Sequence, residues 1–246
     1  MRKLLSLIAV LPLLFAPAVA SAAGPAVKLD RADVDTADMV SLQAGARTFV
    51  NYCLNCHSAS LVRYNTLTNI GLTEQQIQDN LMFTGDKIGD MMEVAFPKED
   101  AKVMFGTVPP DLSVIARSRG ADWLYTYLRS FYRDPNTATG WNNTVFPNVG
   151  MPHVLWSLQG ERVQKVAETT HDGKQVTRVS YELATPGTLQ PAEYDAVVRD
   201  LVNFLVWIGE PHQNKRKQVG VWVIFGLVVL IGLSYALKSA YWKDIH

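Results

Sequence analysis

The most reactive side chains of this sequence stand together, as Cys53, Leu54, Asn55, Cys56 and His57, and the chain holds no cysteine outside this group. Two thiols separated by two residues can each add to one vinyl group of a haem, while the adjacent imidazole reaches the iron from the same side. One turn of chain then supplies both covalent attachment and a fifth ligand. Other uses of the pair need partners that are missing here: structural zinc wants four nitrogen or sulfur ligands, and a thioredoxin-like pair wants a βαβ setting. Nor can two cysteines this close build a disulfide framework across the fold.

A c-type haem used for electron transfer is usually six-coordinate, and methionine sulfur in the sixth position raises its potential. Seven methionines must be sorted. Met1 falls in the leader, and Met39 lies too close before the motif to reach the opposite face. Met82, Met91, Met92 and Met104 sit at mixed apolar spacing, where a thioether serves as core filler. Met151 lies in the aperiodic loop Phe146-Pro147-Asn148-Val149-Gly150-Met151-Pro152, which two prolines stiffen enough to hold one sulfur at a fixed point. His153 is its rival and would give bis-histidine iron of lower potential. His171 and His212 read as surface residues.

These ligands need elements to position them. Leu42, Ala46, Phe49 and Val50 fall at helical spacing, so Ser41 to Tyr52 reads as a helix leading into the motif. Gly45 costs that helix up to about 1 kcal/mol relative to alanine, a cost that close crossing by a second helix would explain. The partner is Pro191 to Ile208, with proline in its first turn, an apolar stripe from Val197 to Ile208, and Gly209 and Pro211 after it. Between Gly160 and Leu189, Val163–Thr170 and Gln175–Leu183 flank His171-Asp172-Gly173-Lys174 and read as a β-hairpin with an Asp-Gly turn.

Both ends carry addresses. Arg2 and Lys3 precede an apolar run from Leu4 to Val19, and Ala18-Val19-Ala20 or Ala20-Ser21-Ala22 offers a cleavage pattern; with Pro12 and Pro17 this reads as a secretory signal. Val219 to Leu237 holds no charged side chain and at about 1.5 Å per residue covers roughly 28 Å, close to the hydrocarbon thickness of about 30 Å. Trp222, Tyr235, Tyr241 and Trp242 suit the two interfaces. Lys215, Arg216 and Lys217 before the span outnumber Lys238 and Lys243 after it, which taken alone would keep the large domain in the cytoplasm. A cleaved signal overrides that count, because long translocated domains are largely insensitive to flanking charge. The expected division is a signal peptide over 1–22, a periplasmic haem domain over 23–212, an anchor over 213–240 and a cytoplasmic tail over 241–246.

With 23 basic and 23 acidic side chains the 246-residue chain is formally neutral, and it lacks the basic footprint of a nucleic-acid binder. From Gly71 to Asp111, eight carboxylates stand against three lysines. Such a bias can steer a basic cytochrome c toward the surface, or simply form a solvated face.

The sequence resembles the cytochrome c1 family, the haem-c subunits of quinol:cytochrome c reductase (cytochrome bc1) complexes, in its bacterial form. The matching elements run in order: Cys53 to Ser58 with Arg63-Tyr64-Asn65, Pro109-Pro110-Asp111-Leu112-Ser113 with Arg117 and Arg119, Gly150-Met151-Pro152, Trp207 with Glu210-Pro211, and a single anchor. The resemblance implies a mainly α cytochrome c-type haem domain with a small β-hairpin insertion and one C-terminal transmembrane helix. It implies one covalent haem c with His57 and Met151 as axial ligands, Arg119 on a propionate, a hydrogen bond accepted by a carbonyl of the Pro109-Pro110 pair, and Tyr64 among the haem contacts. It further implies cytochrome b and Rieske iron-sulfur subunits as partners and cytochrome c as electron acceptor. Two other readings share the haem motif: an anchored cytochrome c serving a terminal oxidase or dehydrogenase, and a haem ligand binder or peroxidase with an open sixth site.

Overall fold

The computed structural model describes residues 27–94, 96–171 and 174–244. The signal expected over 1–22, the Asp172-Gly173 turn and the last two residues of the tail lie outside them. In chain order the described residues form α1 (Met39–Tyr52), β1 (Ala59–Arg63), a 3-10 helix (Tyr64–Ile70), α2 (Glu74–Asn80), β2 (Met91–Met92), α3 (Lys98–Phe105), α4 (Ile115–Arg119), α5 (Ala121–Arg129), β3 (Phe131–Arg133), β4 (Trp141–Asn143), α6 (Trp156–Gln159), β5 (Gly160–His171), β6 (Lys174–Pro186), α7 (Pro191–Gly209) and α8 (Gln213–Tyr241).

α1 begins two residues before the expected Ser41 because Asp38 caps it: its carboxylate accepts from the backbone N–H of Val40 at 3.0 Å and Ser41 at 3.1 Å. α7 opens with Pro191 behind a capping box, in which Glu193 accepts from the Gln190 N–H at 2.8 Å. The two helices cross at Gly45, where a Cβ would lie 2.1 Å from the carbonyl oxygen of Asp200 and 2.6 Å from Cβ of Phe204. The mid-helix glycine thus has the packing reason its spacing predicted. Phe49 and Phe204, both fully buried, meet at 5.5 Å beside it, and each such burial is worth about 1.5–3 kcal/mol. Ser41 donates to Asp200 at 2.8 Å, and Asn203 Nδ2 donates to Ser41 at 3.0 Å and to the Asp35 carbonyl at 2.7 Å, while Asn203 Oδ1 has no partner among the described residues.

The hairpin is longer than the sequence pattern, and it is part of a sheet rather than a free insertion. β5 and β6 pair antiparallel from Gly160↔Pro186 to His171↔Lys174, and the full strand order is β4-β3-β5-β6. Arg133↔Val163 makes the parallel join between β3 and β5. No residue of α8 is buried, and its best window has a mean hydropathy of 2.3, so it is long and apolar enough to cross a membrane.

Candidate functional site

The C-terminus of α1 delivers the first thiol. The Cys53 N–H donates to Phe49 O at 2.8 Å as the helix ends, and the His57 N–H then donates back to Cys53 O at 2.9 Å. This turn folds Cys53, Cys56 and His57 onto the floor of one concavity. Its walls come from four other parts of the chain: Pro109, Pro110 and Leu112, then Trp123, Leu124 and Tyr127 of α5, then Phe146 with Val149 to Pro152, and Leu201 and Leu205 of α7. At about 320 Å³ it falls within the range of cofactor pockets and far beyond packing voids.

His57 is held from behind. Its Nδ1–H donates to the Pro110 carbonyl at 2.8 Å; since a carbonyl only accepts, Nε2 keeps a free lone pair. Burial lowers the His57 pKa, against the opposing pull of the Pro110 carbonyl and Asp111, and the ring stays neutral. Pro110 is clipped in place by its neighbours. The Asp111 carboxylate accepts from the Ser60 N–H at 2.8 Å and the Ser113 N–H at 2.8 Å, the Leu112 N–H donates to Ser58 O at 2.8 Å, and Ser113 Oγ accepts from the Leu61 N–H at 3.0 Å. Burial would raise the Asp111 pKa, but these bonds to Ser113 and Ser60 outweigh it and hold the carboxyl below its usual range.

Met151 lines the cavity, and its Sδ accepts a hydrogen bond from the Tyr127 hydroxyl at 3.3 Å. The other methionines that the structure describes do not line it: Met92 is fully buried in β2, and Met39 and Met104 are exposed. His153 faces away. It is buried, stacks on Phe131 at 4.9 Å and meets Trp141 edge-on at 5.1 Å, and burial pushes its pKa down to about 4. Two buried asparagines shape the loop that carries Met151. Asn142 Oδ1 accepts from the Asn148 N–H at 2.8 Å, and Asn148 adopts φ 60°, a left-handed conformation that asparagine tolerates. Asn143 Oδ1 accepts from the N–H of Val145 at 2.9 Å and of Phe146 at 3.2 Å, while its Nδ2 donates to Tyr127 O at 2.8 Å.

Arg119 reaches the cavity rim, with its guanidinium 5.1 Å from the Trp123 ring and 5.9 Å from Phe146. Arg117 points the other way and pairs with Glu210 at 3.5 Å. Tyr64, also expected among the haem contacts, is fully buried outside the cavity lining, and its hydroxyl bonds Thr84 Oγ1 at 2.9 Å. The residues not anticipated are those of α5, above all Trp123 and Tyr127, which stack at 4.8 Å and 11°. Leu124, Tyr127 and Leu128, at i, i+3 and i+4, were the available signal.

The residues present fit a haem. The concavity is lined with aromatic and branched aliphatic side chains, together with two thiols, an imidazole, a thioether and a guanidinium. A family model described as the Cytochrome C1 family matches residues 31–245. Over 236 residues the chain is 50% identical to a protein of Nitrosomonas europaea named "Ammonia monooxygenase gamma subunit", covering 96% of this chain and 97% of that one. It is 46% identical to cytochrome c1 of Allochromatium vinosum over 95% and 96% of the two chains, and 26% identical to cytochrome c1 of Rhodospirillum rubrum over 85% and 83%.

Proposed function

Because the chain belongs to the cytochrome c1 family, electron-transfer subunits of bc1-type oxidoreductase complexes that bind one covalent haem c, we propose that it accepts one electron at a time from the Rieske iron-sulfur subunit of a ubiquinol:cytochrome c reductase and passes it to cytochrome c. Cytochrome b is its other companion. The observation that carries this reading is the convergence of Cys53, Cys56, His57 and Met151 on one apolar concavity from two separate parts of the chain.

In this reading Cys53 and Cys56 would hold the haem through thioethers, His57 Nε2 and Met151 Sδ would coordinate its iron, and Arg119 would meet a propionate as a guanidinium suits a carboxylate. When bound, the haem supplies a one-electron iron couple. The protein's own part is positioning and tuning. Pro110 fixes the tautomer and orientation of His57, and the apolar walls exclude water and disfavour the additional positive charge of the oxidised state. Of the eight carboxylates between Gly71 and Asp111, Asp90 and Asp111 are tied to backbone N–H groups, while Glu74, Asp79, Asp86, Glu93, Glu99 and Asp100 remain exposed to attract a basic partner. α8 anchors the domain, a cleaved signal over 1–22 delivers residues 23–212 to the periplasm, and residues 241–246 stay in the cytoplasm.

The name of the Nitrosomonas relative favours one second reading, in which the same haem subunit serves a monooxygenase complex. Mild-detergent purification with haem staining and identification of companion polypeptides separates the two. Cytochrome b and a Rieske protein are the expected companions, and monooxygenase subunits in their place would reverse the assignment.

A further inference from the structure

We propose that Tyr127 is a positioning residue for the sixth ligand, and that its hydroxyl raises the haem potential by donating a hydrogen bond to Met151 Sδ. This inference rests on Met151 being that ligand.

The hydroxyl stands 3.3 Å from Sδ. A thioether sulfur carries two lone pairs, so one can bind iron while the other accepts from a hydroxyl. The donor is built in on every side. Trp123 stacks on the Tyr127 ring at 4.8 Å, and Phe131 meets it edge-on at 5.0 Å with an interplanar angle of 68°.

The spacing between donor and sulfur is also fixed by the backbone. Asn143, fully buried, donates from Nδ2 to the carbonyl of Tyr127 and accepts at Oδ1 from Val145 and Phe146. One side chain therefore locks the C-terminal half of α5 to the start of the loop that ends in Met151. On the far side of Phe131, His153 stacks at 4.9 Å and 2°, which braces the stack from the chain just beyond Met151.

The direction of the effect follows from the charge on iron. A hydrogen bond to the thioether sulfur sets the positive end of the O–H dipole toward the iron and withdraws electron density from it, which costs the ferric state more than the ferrous one. The bond therefore favours reduction, and its loss lowers the potential.

The test is Tyr127→Phe in the full-length chain, purified with its complex and titrated electrochemically while the near-infrared sulfur-to-iron band is recorded. The phenyl ring keeps the aromatic stack, so the fold is retained. The expected result is a preserved band, continued exclusion of carbon monoxide and a midpoint potential shifted downward. Tyr125→Phe, which alters a neighbouring tyrosine outside the cavity lining, should leave the potential at the wild-type value. A Tyr127→Phe potential equal to wild type, or the same shift in Tyr125→Phe, overturns the proposal. If the wild-type protein itself lacks the band, the ligand assignment of Met151 fails and this inference goes with it, whereas an intact wild-type band with an unmoved potential in Tyr127→Phe sinks the inference alone.

Discussion

His57 and Pro110, 53 positions apart, are joined by a 2.8 Å hydrogen bond from the imidazole Nδ1–H to the proline carbonyl. Proline locks its own φ, so the Pro109-Pro110 pair presents this carbonyl from a stiff stretch of chain. Three further bonds tie residues 111–113 to residues 58–61, a fourth joins Ser113 to Asp111, and together they decide where that carbonyl stands.

Asp111→Ala removes two of the bonds in that clip. At about 1 kcal/mol each, reduced by solvent exposure, the expected loss is about 1–2 kcal/mol of unfolding free energy at pH 7 in a urea titration. The folded carboxyl titrates below its unfolded value of about 3.9, so the unfolded chain takes up the proton first. The contribution is complete above that value and is lost as pH falls through the folded one. The stability gap between wild type and variant should therefore be constant from pH 7 to 5 and close in stronger acid; a gap that persists at pH 2 would contradict the role given to the carboxylate.

Asn143→Ala strands the partly buried N–H groups of Val145 and Phe146 and removes one donor to the Tyr127 carbonyl, which keeps its bonds from Ser130. Each stranded group costs about 1–3 kcal/mol, and partial rehydration of the loop brings the expected total to about 3 kcal/mol. The loop carrying Met151 should loosen, so the ferrous protein should begin to bind carbon monoxide. Wild-type stability and wild-type carbon monoxide exclusion together would show that the asparagine does not anchor the loop.

Gly45→Ala puts a methyl group 2.1 Å from the Asp200 carbonyl, which is backbone and cannot swing aside. Overpacking costs about 1–3 kcal/mol or more, and the better helix propensity of alanine returns up to about 1 kcal/mol. A net loss of about 2 kcal/mol should appear as a lower Tm in calorimetry. An unchanged or higher Tm would mean that α1 and α7 are not pressed together at this point.

Met151→Ala should abolish the near-infrared sulfur-to-iron band, open the sixth position to carbon monoxide and lower the midpoint potential. Retention of both band and potential would be evidence for a different sixth ligand.

What the sequence alone determines here is written in local spacing. The Cys53 to His57 group needs one turn of chain, the glycine in α1 and the apolar stripe of α7 follow the 3.6-residue period, and the uncharged run of α8 needs only length and composition. Each signal is complete within one element, so no knowledge of the fold is required to read it. The cavity walls are different in kind. Met151 and His153 are two residues apart in an aperiodic segment, Arg117 and Arg119 two apart in a five-residue helix, and no period says which member of either pair faces inward. Contacts from distant chain settle it: the Tyr127 hydroxyl holds Met151, Phe131 and Trp141 draw His153 into the core, and Glu210 draws Arg117 toward the end of α7. Tyr64 stands in a motif beside the haem segment, and it is packing that gives its hydroxyl to Thr84 and its ring to the core. Side-chain direction at such positions is a property of packing between elements far apart in sequence, and only the tertiary structure can decide it.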